Sequence, residues 1–180
     1  MNKKRIGVRI DKLTNSIQNA LNGEILETDI FRLYPTDADS LRGSTWQFDW
    51  TLELRNASRE VYKLITVENP TIVQGLISME NFDDHIFVHL IENAQFNKGR
   101  QKLYVGVPAN LFAFACKKAF EQGHEGAVVF ESKTTLIYHY EQTIGAQLLW
   151  GIRMLIDTPE ADKLVRRYFK DSNHGTQQNA

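Results

Sequence analysis

The sequence predicts an α+β fold, in which helices flank a mixed, mostly antiparallel central sheet. Two observations lead to this prediction. Between residues 46 and 92, four apolar or alternating runs are separated by breaks rich in Asn, Ser, Pro and Asp, a pattern typical of antiparallel strands. From residue 106 onward, helical and strand patterns alternate, as in chains whose helices cover a sheet. The length of 180 residues and the hydrophobic content of 42% fit a single domain.

The front half is predicted to hold one helix followed by strands. Leu13, Ile17 and Leu21 recur at i, i+4 and i+8 in "IDKLTNSIQNALNG", which predicts a short amphipathic helix that stops at Asn22 and Gly23. A strand, "ILETDIFRL", then runs into a Pro-Thr-Asp turn. The four strands of an antiparallel meander follow as "WQFDWTLEL", "EVYKLITVE", "TIVQGLISM" and "HIFVHLIE".

The back half is predicted to alternate helices and strands. After the helix "GVPANLFAFACKKAFEQG" come the strand "GAVVFES", the helix "KTTLIYHYEQTIG" and "AQLLWGIRMLID", a long strand or a strand with a bulge at Gly151. Thr158 as N-cap and Pro159 at the first helical position predict a last helix, "TPEADKLVRRYF". Residues 1–170 therefore form the predicted domain, and the polar residues 171–180 a disordered tail.

The composition argues against several classes of partner. The formal net charge is -1 with scattered Lys and Arg, which argues against a nucleic-acid partner. One cysteine cannot form an internal disulfide, and the first residues contain neither an apolar secretion segment nor a run long enough to cross a bilayer. We therefore predict a cytoplasmic protein with no membrane partner.

The glycine that opens residues 106–123 marks a candidate ligand site. A helix leaves its first backbone N–H groups unpaired and carries partial positive charge there, so it suits a phosphate. Gly106 allows close approach of a ligand, and Pro108 and Asn110 fit first-turn or capping positions. A plain turn that merely starts the helix remains the alternative. Cys116, among apolar neighbours, is interpreted as a buried hydrophobe rather than a nucleophile.

The two histidines of "HIFVHLIE" do not predict a metal site. On a helix, the four-residue spacing of His85 and His89 would place two ligands on one face. On the predicted strand the same spacing spans about 13 Å, too far for one metal ion. We interpret both as surface or core histidines and predict no metal.

The order of elements resembles the GNAT superfamily of acyl-CoA N-acyltransferases. The resemblance runs from "HIFVHLIEN" through the glycine-started helix and "GAVVFES" to "YEQTIGA", the counterpart of a "YEKLGF"-like sequence of the family. By element order it covers about residues 25–157. The usual R/Q-x-x-G-x-G/A signature of the family is not present, because Leu103 stands three residues before Gly106 and Pro108 two residues after it.

The resemblance implies acetyl-CoA, or another acyl-CoA, as co-substrate in a splay between "FVHLIEN" and "GAVVFES". Its pantetheine arm would run beside Leu90 and Ile91 like an added strand. Its diphosphate would rest on the backbone at the start of the helix. The residues implied for that cradle are Gly106, Val107, Ala109, Asn110 and Leu111. The implied reaction transfers the acetyl group to a primary amine of a small molecule or a protein.

Two side chains are implied for proton transfer. Glu92, at the end of the central strand, matches the place of a base in many members of the family, and a solvated strand-end glutamate is the alternative. Tyr140 matches the phenol that protonates the leaving thiolate, and a core aromatic is the alternative. Because the usual signature is absent, a GNAT-shaped module that binds an acyl-CoA or a protein without catalysis is the alternative function. Transfer of the acetyl group to aminoacyl-tRNA is a variant of the first function, and the absence of a basic excess argues against it. The sequence leaves open whether the protein forms a homodimer.

Overall fold

A computed structural model describes residues 16–42 and 45–169 of the chain. These residues form one sheet of nine strands and four α-helices. The strands are β1 (Ser16–Asn19), β2 (Ile25–Leu33), β3 (Glu60–Thr66), β4 (Asn69–Asn81), β5 (Ile86–Asn93), β6 (Tyr104–Val105), β7 (Val128–Glu131), β8 (Gln147–Trp150) and β9 (Arg153–Ile156). The helices are α1 (Trp50–Arg55), α2 (Val107–Glu121), α3 (Ile137–Ile144) and α4 (Thr158–Tyr168), with 3-10 turns at Pro35–Leu41, Gln95–Asn97 and Thr134–Leu136.

The sheet is mixed and mostly antiparallel, as predicted. Its strand order is β6-β1-β2-β3-β4-β5-β7-β9-β8, and the strands from β2 to β5 form the meander. Neighbours run antiparallel except for β5 and β7, which are parallel and joined through α2. A parallel pair needs such a crossover because its connection must return along the sheet. The predicted α+β class, with helices flanking a central sheet, is confirmed.

Each face of the sheet carries its own apolar core. Ile77, on β4, belongs to the larger core, where Leu111 and Phe112 of α2 are fully buried against the sheet. The preceding residue, Leu76, points to the opposite face and packs with Trp50 and Leu54 of α1. This alternation follows from the two-residue period of a strand. The central strands are thus covered on both sides, with α2 fixed beside β5.

The predicted first helix is wrong where the structure describes it. Residues Ser16–Asn19 form β1, which pairs with β2 on one side and β6 on the other. The helical spacing of Ile17 and Leu21 is accidental, because Ile17 is buried whereas Leu21 lies 90% exposed in the turn that follows. Backbone pairing with two neighbours overrides the weak local propensity. Leu13 and the predicted tail, residues 171–180, lie outside the described residues.

The predicted strand "WQFDWTLEL" is also wrong. Its second half is the helix α1, capped by Asp49, whose side chain accepts a hydrogen bond of 3.0 Å from the Thr51 amide. Such a cap supplies a partner to an otherwise orphaned helical N–H. Trp50 and Leu54 are buried four residues apart, which is the spacing of a helical face.

The predicted last strand is a hairpin. β8 and β9 pair antiparallel about a turn at Gly151, whose φ of +57° favours glycine. The helix that follows exists, but its N-cap is Asp157, which accepts from the Glu160 amide at 3.2 Å, while Thr158 is the first helical residue. None of the helices within residues 16–42 and 45–169 is long and apolar enough to cross a membrane.

Candidate active site

A cleft opens where β5 and β7 part. The two strands pair from Ile86 with Val128 to Val88 with Phe130, and their pairing ends there. Beyond this point a cleft of about 280 Å3 lies between the strands. The residues predicted to line it do so, namely Leu90, Ile91, Glu92 and Tyr140. The structure thus brings both predicted proton-transfer residues to one cleft.

A second groove continues from this cleft to the start of α2. It has a volume of about 290 Å3 and shares Asn93, Pro108 and Tyr140 with the first. Gly106 and Ala109 line it, with the positively charged Lys102 nearby on its wall. An extended ligand lying along β5 would therefore reach the N-terminus of α2 without leaving the surface depression.

The start of α2 offers few backbone donors. Gly106 caps the helix with a φ of +92°, and a Cβ atom there would meet nothing closer than the Tyr168 hydroxyl at 3.9 Å. The Asn110 amide already donates to the Gly106 carbonyl at 3.0 Å, and Pro108 has no N–H. The amides ahead of the first helical hydrogen bond, at Val107 and Ala109, are the ones that point out of the helix end.

The remaining members of the predicted cradle face inward. Leu111 and Val107 are 0% and 1% exposed, so their side chains pack on the sheet rather than in the groove. The Leu111 amide lies deep enough in α2 to join its hydrogen-bond ladder. The backbone at Gly106, Val107 and Ala109 thus faces outward. The side chains of Val107 and Leu111 face inward and hold the start of α2 on the sheet.

The anchoring depends on a glycine of β4. A Cβ atom at Gly75 would lie 2.7 Å from Cγ1 of Val107 and 3.2 Å from the Glu92 carbonyl oxygen. Only a residue without a side chain lets the first turn of α2 approach the sheet this closely. Sequence reasoning did not single out Gly75, although a glycine inside an apolar strand pattern is a known signal of close backbone approach.

Glu92 is buried and held by four donors. Its carboxylate accepts from the amides of Gln47 and Phe48, at 2.7 and 3.3 Å, and from the indole of Trp50 at 2.9 Å. The Lys98 ammonium lies 2.7 Å away. A carboxylate has about four lone-pair sites, so these donors occupy them all. Glu92 therefore ties residues 47–50 to the end of β5.

The same contacts set the acidity of Glu92. Burial opposes its ionised form, but the hydrogen bonds from Lys98, the Gln47 amide, the Trp50 indole and the Phe48 amide outweigh burial and hold its pKa below the ordinary value. Glu92 is therefore an anion at neutral pH and a weak proton acceptor. The sequence did not reveal Gln47 or Lys98 as its partners.

Tyr140 sits between the cleft and the core. Its ring lies edge-on to Phe112 and Phe130, with centroids 5.6 and 5.2 Å away. Burial raises the pKa of its hydroxyl above the ordinary value, so the phenol stays protonated at neutral pH. It can therefore give a proton and not take one.

Other predicted features lie outside this chemistry. Cys116 is fully buried in α2 and burial raises its pKa, so it is a poor nucleophile. His89 lines the cleft, whereas His85 pairs with Asp84 away from it. Among the described residues, no group of three or more His, Cys, Asp or Glu side chains could hold a metal ion.

Comparison with known proteins shows similarity of structure only. No protein-family model and no curated protein sequence matches the chain. The structure matches ribosomal-protein-alanine N-acetyltransferase from Brucella melitensis biovar Abortus 2308, with a TM-score of 0.54 and 18% identity over 69% of this chain and 95% of that one.

Two further solved structures are similar at lower identity. AtaTR bound with acetyl-CoA matches with a TM-score of 0.52 and 15% identity, over 76% of this chain and 97% of that one. FeeM, an N-acyl amino acid synthase from uncultured soil microbes, matches with a TM-score of 0.52 and 13% identity, over 77% and 96%. These identities establish a shared fold and leave the substrates of this chain open. Together with the splayed β5 and β7, they show that the chain has the fold of the GNAT superfamily of acyl-CoA N-acyltransferases.

Proposed function

We propose that this protein is an N-acetyltransferase that moves an acetyl group from acetyl-CoA to a primary amine. The observation that supports it most is the continuous depression from the splay of β5 and β7 to the N-terminus of α2. In this depression an unpaired strand edge is followed by helix amides that point outward. This arrangement fits the extended pantetheine arm of CoA, which ends in a diphosphate.

The chain's own residues divide the binding task. The edge of β5 that faces β7 pairs with no described strand at Leu90 and Ile91, and it supplies backbone groups to the pantetheine amides. The amides of Val107 and Ala109 and the freedom of Gly106 serve the diphosphate, with Lys102 as a nearby positive charge. The usual signature residues of the family are replaced here by this smaller set.

The proposed proton donor is Tyr140. A buried, protonated phenol beside the cleft can give its proton to the thiolate that leaves when the thioester breaks. Glu92 as base stays a prediction. Its four donors and lowered pKa support a different role for Glu92: a fixed anion that holds Gln47 and Phe48 on the wall of the cleft.

Thiol release tests the proposal. Purified protein is mixed with acetyl-CoA and a panel of amines: a peptide amino terminus, a lysine side chain, a free amino acid and a polyamine. Amine-dependent release of free CoA supports the proposal. Absence of release above the uncatalysed rate with every amine contradicts it.

Replacing Tyr140 by phenylalanine should lower kcat by about 10²-fold, the contribution of one acid catalyst. The ring contacts with Phe112 and Phe130 remain, so we expect unchanged folding and unchanged affinity for CoA. Steady-state kinetics and calorimetric CoA titration measure the two quantities. Tyr138, which is 71% exposed on the same helix and outside the cleft, gives the matched control Tyr138→Phe with wild-type kcat. A Tyr140→Phe variant that turns over as fast as wild type removes Tyr140 from the mechanism.

A non-catalytic acyl-CoA-binding module is the second candidate. It is favoured by Pro108, which removes one backbone donor from the cradle, and by the Asn110 amide already bonded to Gly106. CoA binding in calorimetry without thiol release on any amine would select this candidate. A homodimer and a cytoplasmic location stay predictions.

A further inference from the structure

A β-bulge places a histidine in the cleft. β4 and β5 pair as Met79 with Val88 and then as Ser78 with Leu90, so His89 is an extra residue without an opposite partner. A bulge of this kind re-aims the side chain of the extra residue. Here the bulge lies where β5 and β7 part, and His89 lines the cleft.

Glu80 fixes the orientation of this histidine. Nε2 of His89 lies 2.7 Å from Oε2 of Glu80, and the ring stands 4.7 Å from the ring of Phe87. An ionised carboxylate only accepts hydrogen bonds, so Nε2 must carry the proton and Nδ1 is the bare nitrogen. Both side chains are largely buried, at 20% and 24% exposed, which limits competition from water.

The carboxylates that line the cleft are already paired. Glu92 is bound to Lys98, and Glu131 of β7 lies 3.1 Å from Arg153 of β9. Lys133 also lines the cleft. The histidine is therefore the lining group that combines a fixed orientation with a lone pair not spent on a neighbour in the described part of the chain.

We propose that His89, oriented by Glu80, takes the proton from the acceptor amine. This inference rests on the proposed function and replaces the prediction for Glu92. A histidine is the usual base near neutral pH, and a carboxylate on its other nitrogen stabilises the imidazolium that forms. In this scheme His89 is a catalytic residue and Glu80 a positioning residue.

The proton balance of the step closes with these residues. The amine nitrogen forms a bond to the thioester carbonyl carbon, and its extra proton passes to Nδ1 of His89. The carbon–sulfur bond then breaks, and Tyr140 gives a proton to the sulfur. The products are the N-acetyl amine and CoA, and bulk water resets the two side chains.

The test compares pH profiles of kcat for wild type, His89→Gln, Glu80→Gln and Glu92→Gln, with acetyl-CoA and the fastest amine of the panel. We expect His89→Gln to lower kcat by about 10²-fold or more and to abolish the acid limb of the profile. Glu80→Gln should keep most of the rate, because the side-chain oxygen of glutamine can still accept the hydrogen bond from Nε2 that orients the ring. Glu92→Gln should keep the acid limb.

A neighbouring histidine gives the matched control. His85, like His89, has its ring beside that of Phe87, pairs with the exposed Asp84 and does not line the cleft, so His85→Gln should have the wild-type profile. Unchanged calorimetric CoA affinity in His89→Gln shows that the variant is folded. If wild type turns over and His89→Gln shows the same kcat and the same acid limb, this inference is wrong while the proposed function stands. Wild type without turnover overturns the proposed function, and this inference with it.

Discussion

Replacing Gly75 by alanine is expected to weaken CoA binding about tenfold, which corresponds to about 1.4 kcal/mol. The added Cβ would lie 2.7 Å from Cγ1 of Val107, and carbon atoms pack at about 3.5 to 4.0 Å. Val107 is stiff and 1% exposed, so the side chain cannot turn away and the first turn of α2 must move. Overpacking of this kind should also lower the free energy of unfolding by about 1 to 3 kcal/mol. Calorimetric CoA titration and denaturant unfolding measure the two changes.

Two further variants distinguish an effect on the diphosphate cradle from a general loss of stability. Gly123→Ala strains a φ of +82° at the opposite end of α2 without any contact within 4 Å, so it should lose about 1 kcal/mol of stability and keep CoA affinity. The pair Gly75→Ala with Val107→Ala removes the 2.7 Å contact and leaves those of 3.2 Å with the Glu92 carbonyl and Leu111, so it should restore most of the affinity. Wild-type CoA affinity in Gly75→Ala would contradict the placement of the diphosphate at the start of α2.

Replacing Glu92 by glutamine is expected to lower the free energy of unfolding by about 3 kcal/mol at neutral pH. Glutamine keeps one acceptor oxygen and turns an NH2 group toward the donors of the other. The donors left without an acceptor are either the Gln47 amide and Lys98, which share one oxygen, or the Phe48 amide and the Trp50 indole, which share the other. Residues 47–50 then lose part of their attachment to β5. Denaturant unfolding of the two proteins measures the difference.

The pH dependence of this difference has a definite sign. The pKa of Glu92 is lower in the folded chain than its ordinary value of 4.5, so its contribution is present above that value and is lost as the pH falls through the folded pKa. The gap between wild type and Glu92→Gln should therefore shrink as the pH falls below the ordinary value of 4.5. Glu131→Gln is the control, because Glu131 and Arg153 are half-exposed and their pair should contribute less than about 1 kcal/mol. An equal gap at neutral and acid pH would contradict this account of Glu92.

The parts of the fold that the sequence predicted are those with long apolar patterns. The strands β2 to β5, the helix α2 and the strand β7 combine strong periodicity with clear breaks, and these elements are confirmed. β1 and α1 were mispredicted because each is short. In β1, one buried side chain, Ile17, cannot define a period. Before α1, the aromatic residues favour a strand, but the N-cap at Asp49 starts a helix instead.

The site was predictable only in its outline. The resemblance to the GNAT superfamily implied that Glu92, Tyr140 and the start of α2 lie near one bound acyl-CoA, since these positions follow from the fold. The partners of Glu92 come from up to 45 residues away in the chain, so no local pattern could reveal them. The place of His89 depends on a shift in register between β4 and β5, which arises from pairing and leaves no mark in the single strand.

A crystal structure of the protein with bound CoA tests the central claim most directly. We expect the pantetheine arm to pair with the edge of β5 at Leu90 and Ile91, the diphosphate to accept from the amides of Val107 and Ala109, and the sulfur to lie within hydrogen-bond reach of Tyr140. CoA bound on another surface, or a diphosphate that does not touch the start of α2, would contradict the account.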